Sequence, residues 1–133
     1  MYELVNHIAD VRLRVEAASL EELFRDAMRG LYAVMHAQPE GGQPVTRTIV
    51  VDESADRTAL LVDFLNEVLQ RAHVGRECFH DARFTRLDEL SVEAELTGVA
   101  PAEFEEDVKA VTYHEADVRQ ENGAWTTMLV LDI

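Results

Sequence analysis

The sequence predicts an α+β domain: a two-layer sandwich with a mostly antiparallel sheet of about six strands and two helices on one face, in the order β-α-β-α-β-β-β-β. Three observations predict it. The stretch DVRLRVEA alternates apolar and polar residues with a period of two, as a half-buried strand does. Two longer segments, residues 19–35 and 55–75, repeat apolar residues at three-and-four spacing, the signature of amphipathic helices. The last part of the chain carries four more strand-like runs, and an Asn-Gly pair marks a tight hairpin between the final two.

Each element has its own warrant. In the first strand Val11, Leu13 and Val15 share one face, with Asp10, Arg12, Arg14 and Glu16 on the other. Ser19 then serves as N-cap and Glu22 completes a capping box three residues on. Leu20, Leu23, Phe24, Ala27, Met28, Leu31, Val34 and Met35 form the apolar stripe of the first helix, which the loop HAQPEGGQP ends. PVTRTIVVD reads as a strand. The second helix, ADRTALLVDFLNEVLQRAHVG, presents Leu60, Leu61, Phe64, Leu65, Val68, Leu69 and Ala72 on its stripe, with Gly75 just past its end. Strands follow at about CFHDARFTRLD and LSVEAELTGV, and PAEFEED reads as a turn or short helical piece. VKAVTYHEADVRQ and AWTTMLVLDI are two strands joined across residues Glu121 to Ala124, with Trp125 anchoring the hairpin.

At 133 residues the expectation is a single domain over 1–133, without repeats or linkers. One cysteine, Cys78, excludes an intrachain disulfide and suits a reducing, cytoplasmic compartment; with no His or Cys at ligand spacing it reads as a packing residue. The opening MYELVNHIADVRLRV has no apolar core of the kind a signal peptide needs, and the apolar runs are too short to span a bilayer. The 26 acidic against 12 basic side chains give a net charge of −14. That field opposes a phosphate backbone, so strong direct nucleic-acid binding is not expected. It suits solubility, cation binding or docking on a basic protein. No Walker loop, Gly-x-Gly-x-x-Gly, Gly-x-Ser-x-Gly or Cys-x-x-Cys motif occurs. His36 and His73 fall at helix C-termini, where a cation is favoured, and nothing argues for metal at His80.

The end of the last strand is unusual. Trp125, Thr127, Leu129, Leu131 and Ile133 share one face, leaving Met128, Val130 and Asp132 on the other. The Asp132 side chain and the Ile133 main-chain carboxylate are therefore expected close together, and two fixed anions repel unless something positive intervenes. A Lys or Arg could supply that charge, and so could a hard cation. Asp10, on the polar face of the first strand, is the candidate third carboxylate. Spacing alone does not bring it to the C-terminus, so three solvated carboxylates remain the alternative.

The same residues resemble the archease family. HIADVRLRV is similar to the family's N-terminal His-Thr-Ala-Asp motif and its strand, and SLEELFRDAMRGLYAVM and LLVDFLNEVL resemble its two helices. VKAVTYHEADV and the closing VLDI resemble its two C-terminal signatures. The resemblance implies an accessory protein, not an enzyme, that assists RtcB-type RNA ligases in tRNA splicing or RNA repair. It would promote the step in which the ligase guanylylates its own histidine with GTP and a divalent metal. It also implies a divalent cation (Ca, Mg or Mn) held by Asp10, Asp132 and Ile133. Lys109, His114 and His7 lie at matching functional positions, and a His there could orient a ligating carboxylate. Ile8 stands where relatives usually have Thr, Ala17 where many have Gly, and the connector GVAPAEFEED is short. Two rival readings are a small metal-dependent hydrolase using the same carboxylates to activate water and a general acidic chaperone.

Overall fold

The computed structural model describes residues 10–133, so the expectations placed on His7 and Ile8 lie outside the described residues. Eleven elements follow in order: β1 (Asp10–Ala17), α1 (Leu20–Val34), β2 (Ala37–Gln38), β3 (Gln43–Val51), α2 (Arg57–Gly75), β4 (Cys78–Leu87), β5 (Val92–Ala100), β6 (Glu103–Phe104), β7 (Ala110–Thr112), β8 (Arg119–Glu121) and β9 (Ala124–Asp132). Every strand pairing among the described residues is antiparallel, so the α+β class holds.

The strands divide between two main sheets where one was expected. β9 lies between β1 and β7, with β8 also paired to it; β5 lies between β3 and β4; β2 and β6 form a small ribbon. The reason is the full-length pairing of first and last strands, which runs from Asp10 opposite Asp132 to Ala17 opposite Trp125. Alternation in a sequence states that a strand has two faces and is silent on which partner it takes. Both helices bridge the sheets: α1 packs on β1 and β4, and α2 on β7 and β3. One apolar cluster fills the space between them. Leu23, Phe24, Met28, Leu31, Phe64 and Leu65 are fully buried there beside Leu129 and Leu131 of β9. The rings of Phe24, Phe64 and Phe84 meet pairwise at centroid distances of 5.5 to 6.1 Å, within the range where aromatic pairs attract.

Local signals held where the chemistry is local. The Ser19 hydroxyl accepts from the Glu22 N–H at 3.2 Å; Asp56, which the sequence reading did not single out, caps α2 through the Ala59 N–H at 2.8 Å. Asn122 and Gly123 both have positive φ, as a two-residue hairpin turn with primed geometry requires. Trp125 carries the Arg57 guanidinium over its ring at 5.2 Å.

Three expectations are corrected. Gly75 is the last residue of α2, and Arg76 takes the left-handed cap at φ 52°. A Cβ at Gly75 would stand 3.2 Å from the Glu77 side chain, a tight contact that a small shift of that side chain relieves. PAEFEED contains the two-residue strand β6 and no helix. VKAVTYHEADVRQ is not one strand: it breaks into β7 and β8 around a turn where Glu115 has φ 60° and the Ala116 N–H donates to the Tyr113 carbonyl at 3.1 Å. Tertiary bonds hold that turn, with the Tyr113 hydroxyl on Asp63 of α2 and Glu115 on Arg12 of β1.

Candidate functional site

β9 carries its apolar residues Leu129 and Leu131 into the core, which turns Asp132 to the opposite face at the end of the sheet. β1 uses the same alternation: Val11, Leu13 and Val15 pack inward, so Asp10 and Arg12 point outward. The register then decides the site. Asp10 stands directly opposite Asp132, so the two carboxylates leave the same face of adjacent strands, with Cβ atoms about 5 Å apart. On the other side Asp132 faces Ala110 of β7, whose methyl group leaves the Asp132 side chain room. Lys109, one residue earlier, donates its backbone N–H to the Asp132 carbonyl at 2.7 Å. Ile133 follows Asp132 and is exposed.

A positive charge contacts one member of the pair, Asp10, and it is an arginine. Arg12 lies two residues beyond Asp10 on the same face. Its Nη1 is 3.4 Å from Asp10 Oδ1, and its Nε donates to Glu115 Oε2 at 2.9 Å. The Arg12 hydrogen bond holds the Glu115 carboxyl below the usual carboxylate range, and the charges of Arg12 and neighbouring His114 act in the same direction. The same bond, with the charges of Glu115 and Asp10, raises Arg12.

The expected residues are therefore brought together unequally. Asp10 and Asp132 form a pair, Lys109 is attached to the Asp132 backbone, and His114 sits exposed in the turn beside Glu115. Lys109 is the only lysine among the 12 basic side chains, and no carboxylate of the described residues lies within ion-pair distance of it. Sequence reasoning missed Arg12 and Glu115 as members of this site. The period-two spacing from Asp10 pointed to Arg12; nothing local pointed to Glu115, which lies 103 positions away from Arg12.

Among the described residues no three His, Cys, Asp or Glu side chains converge on a metal-sized space. The donor set still fits a hard cation in kind. Two opposed carboxylates offer oxygen ligands, and Ile133 follows one of them in the chain. The pair alone is incomplete as a metal cage.

His36 and His73 stand at helix ends as expected and fasten the 103–108 connector. His36 Nδ1 is 3.5 Å from Glu105, while His73 Nε2 is 2.9 Å from the Val108 carbonyl and 3.3 Å from Asp107. Cys78 is buried, and that burial raises its thiol, as fits a packing residue.

The fold and site define a small acidic α+β protein with an outer carboxylate pair where its first and last strands meet, and no described helix is long and apolar enough to cross a bilayer. The sequence pattern of the Archease protein family matches residues 2–133, and the chain belongs to that family. A protein archease of Methanosarcina barkeri is 29% identical over 140 residues, covering 99% of this chain and 95% of that one. A protein archease of Methanopyrus kandleri is 30% identical, covering 99% of each. The fold matches a crystal structure of an archease from Thermotoga maritima with a TM-score of 0.73 at 19% identity, over 100% of this chain and 98% of the other. It also matches the solution structure of a Methanobacterium thermoautotrophicum protein, with a TM-score of 0.69 at 23% identity over 97% and 96%.

Proposed function

We propose that this chain is a non-enzymatic activator of an RtcB-type RNA ligase, promoting guanylylation of the ligase during tRNA splicing or RNA repair. The observation that carries this reading is the register that sets Asp10 opposite Asp132. Asp10, Asp132 and the main-chain carboxylate of Ile133 would hold a divalent cation (Ca, Mg or Mn), and that ion, when bound, offsets negative charge on oxygen. The residues of this chain do the positioning. β1 and β9 fix the two aspartates on one face, while Lys109, tied to Asp132 through its backbone, would offer its ammonium to a phosphate or the ligase surface. The acidic surface steers the encounter with a basic face of the ligase, and the association weakens as salt is added.

The test is guanylylation of a cognate ligase with GTP and a divalent ion, with and without this protein, repeated with Asp10→Asn and Asp132→Ala. Stimulation by the wild type that both variants lose is the expected result. Stimulation unaffected by both substitutions overturns the carboxylate reading and favours a general acidic chaperone. Turnover of RNA or nucleotide by the purified protein alone, with Mg²⁺ or Mn²⁺, overturns the non-enzymatic reading. A glycine added after Ile133 moves the main-chain carboxylate and separates its part from that of the two side chains.

A further inference from the structure

Arg12 contacts Asp10, one of the carboxylates that the expected cation would need. Its guanidinium spans two carboxylates, at 2.9 Å to Glu115 and 3.4 Å to Asp10. The two contacts are unequal. The Nε contact to Glu115 is a short, charge-assisted hydrogen bond, and the Nη1 contact to Asp10 is at the long limit of one. Glu115 is supplied from outside the strand, by the turn between β7 and β8, and its φ of 60° is a conformation that non-glycine residues adopt uncommonly. That turn is tied down on its other side by the Tyr113 hydroxyl on Asp63 of α2. The arginine is thus drawn toward Glu115 and partly away from Asp10.

We propose that Arg12 is an internal counter-charge that competes with a divalent cation for Asp10, and that Glu115 sets the strength of that competition by holding the guanidinium back. This rests on the reading of Asp10 and Asp132 as a cation site. Arg12 and Glu115 are positioning residues: neither is a ligand, and both act through Asp10. In the resting protein Arg12 offsets the charge of Asp10, which the strand register sets opposite Asp132. When a doubly charged ion enters, Arg12 is released onto Glu115, where a strong partner already waits. An exposed carboxylate pair without Glu115 would leave the arginine free to close fully on Asp10 and block the ion. The three side chains are between 38% and 49% exposed, so solvent screens the competition and its effects are several-fold in size.

The experiment is calorimetric titration of the full chain with Mg²⁺, Ca²⁺ and Mn²⁺, at low and at high ionic strength, with thermal unfolding measured on every variant. Arg12→Gln removes the competing charge and is expected to tighten uptake about two- to fivefold, the range that an exposed ion pair commands. Glu115→Gln releases Arg12 onto Asp10 and is expected to weaken uptake by a similar factor. The double variant is expected to match Arg12→Gln alone, because Glu115 acts only through the arginine. Arg12→Lys keeps the charge and stays within about twofold of the wild type, and all differences shrink as salt is added.

Uptake left unchanged or weakened by Arg12→Gln, in a protein that melts normally, overturns the proposal. So does a Glu115→Gln effect that persists in the Arg12→Gln background. A wild type that takes up no cation while Arg12→Gln binds one upholds the counter-charge and the site; uptake by neither overturns the metal-site reading and the counter-charge with it. A wild type that binds, with all variants equal to it, overturns the counter-charge alone.

Discussion

The backbone N–H of Lys109 donates to the carbonyl oxygen of Asp132 at 2.7 Å, so the only lysine of the chain hangs on the residue whose carboxylate opposes Asp10. This tie is made by the main chain and does not depend on the side chain. Lys109→Ala therefore keeps it. The side chain is exposed, so stability should stay within about 0.5 kcal/mol of the wild type in urea unfolding. Ligase stimulation should fall about ten- to a hundredfold, the worth of one hydrogen bond to a charged group. Lys109→Arg should recover part of it. Full stimulation by Lys109→Ala would remove the lysine from the proposed site.

How much of this was visible beforehand follows from where each interaction is encoded. Val11, Leu13 and Val15 announce β1 by alternation, Ser19 announces α1, and Asn122-Gly123 announces the last hairpin; each signal lies within a few residues of the feature it specifies. Asp132 could be placed on the outer face of its strand for the same reason. Its partner could not. The Asp10–Asp132 register arises from burying the inner faces of both strands against one core, and only the folded chain contains that information. The break at Tyr113 was hidden in the same way. VKAVTYHEADVRQ has an unbroken strand-like composition, and the turn is held by Asp63 and Arg12 from distant elements.

Arg47 Nε donates to Glu77 Oε2 at 2.7 Å, and the Glu77 side chain is only 8% exposed. Its other oxygen, Oε1, is buried without a hydrogen-bond partner, so the carboxylate depends on this one arginine. Arg47→Ala leaves a buried charge uncompensated and should cost about 2–4 kcal/mol, somewhat discounted because the arginine itself is half-exposed. Glu77→Gln in the Arg47→Ala background removes the charge and should restore at least half of the loss. Urea unfolding of the single and double variants measures this, and strictly additive costs would refute the coupling.

Gly98 of β5 passes so near β4 that a Cβ would lie 2.0 Å from the Cys78 carbonyl oxygen and 2.6 Å from the Phe79 Cα. Both are backbone atoms beside the irregularity between Phe79 and Asp81, so no side-chain rotation relieves the clash. Gly98→Ala should cost about 3 kcal/mol or more, at the upper end of overpacking penalties. Gly75→Ala is the control. Its Cβ meets only the Glu77 side chain at 3.2 Å, and it gains helix propensity at the end of α2. The thermal midpoint should drop far more for Gly98→Ala than for Gly75→Ala; equal drops would show that β4 shifts freely.

The Tyr32 hydroxyl is buried and donates to the Glu77 carbonyl at 2.8 Å. Burial pushes its acid dissociation well above the ordinary tyrosine range, and the nearby Cys78 and Glu77 groups push the same way. The folded state therefore holds this proton to a higher pH than the unfolded chain, which releases it near pH 10. The sign is fixed: the contribution is complete below about pH 10 and is lost as the pH rises beyond it, by at most about 1.4 kcal/mol per pH unit from this one group. Tyr113 is raised as well, through its bond to Asp63, and its exposure makes its share smaller. The urea midpoint of the wild type should fall steeply above pH 10. Tyr32→Phe should start lower, having lost the hydrogen bond, and decline less. A variant that loses stability as steeply as the wild type would show that the alkaline transition belongs to another group.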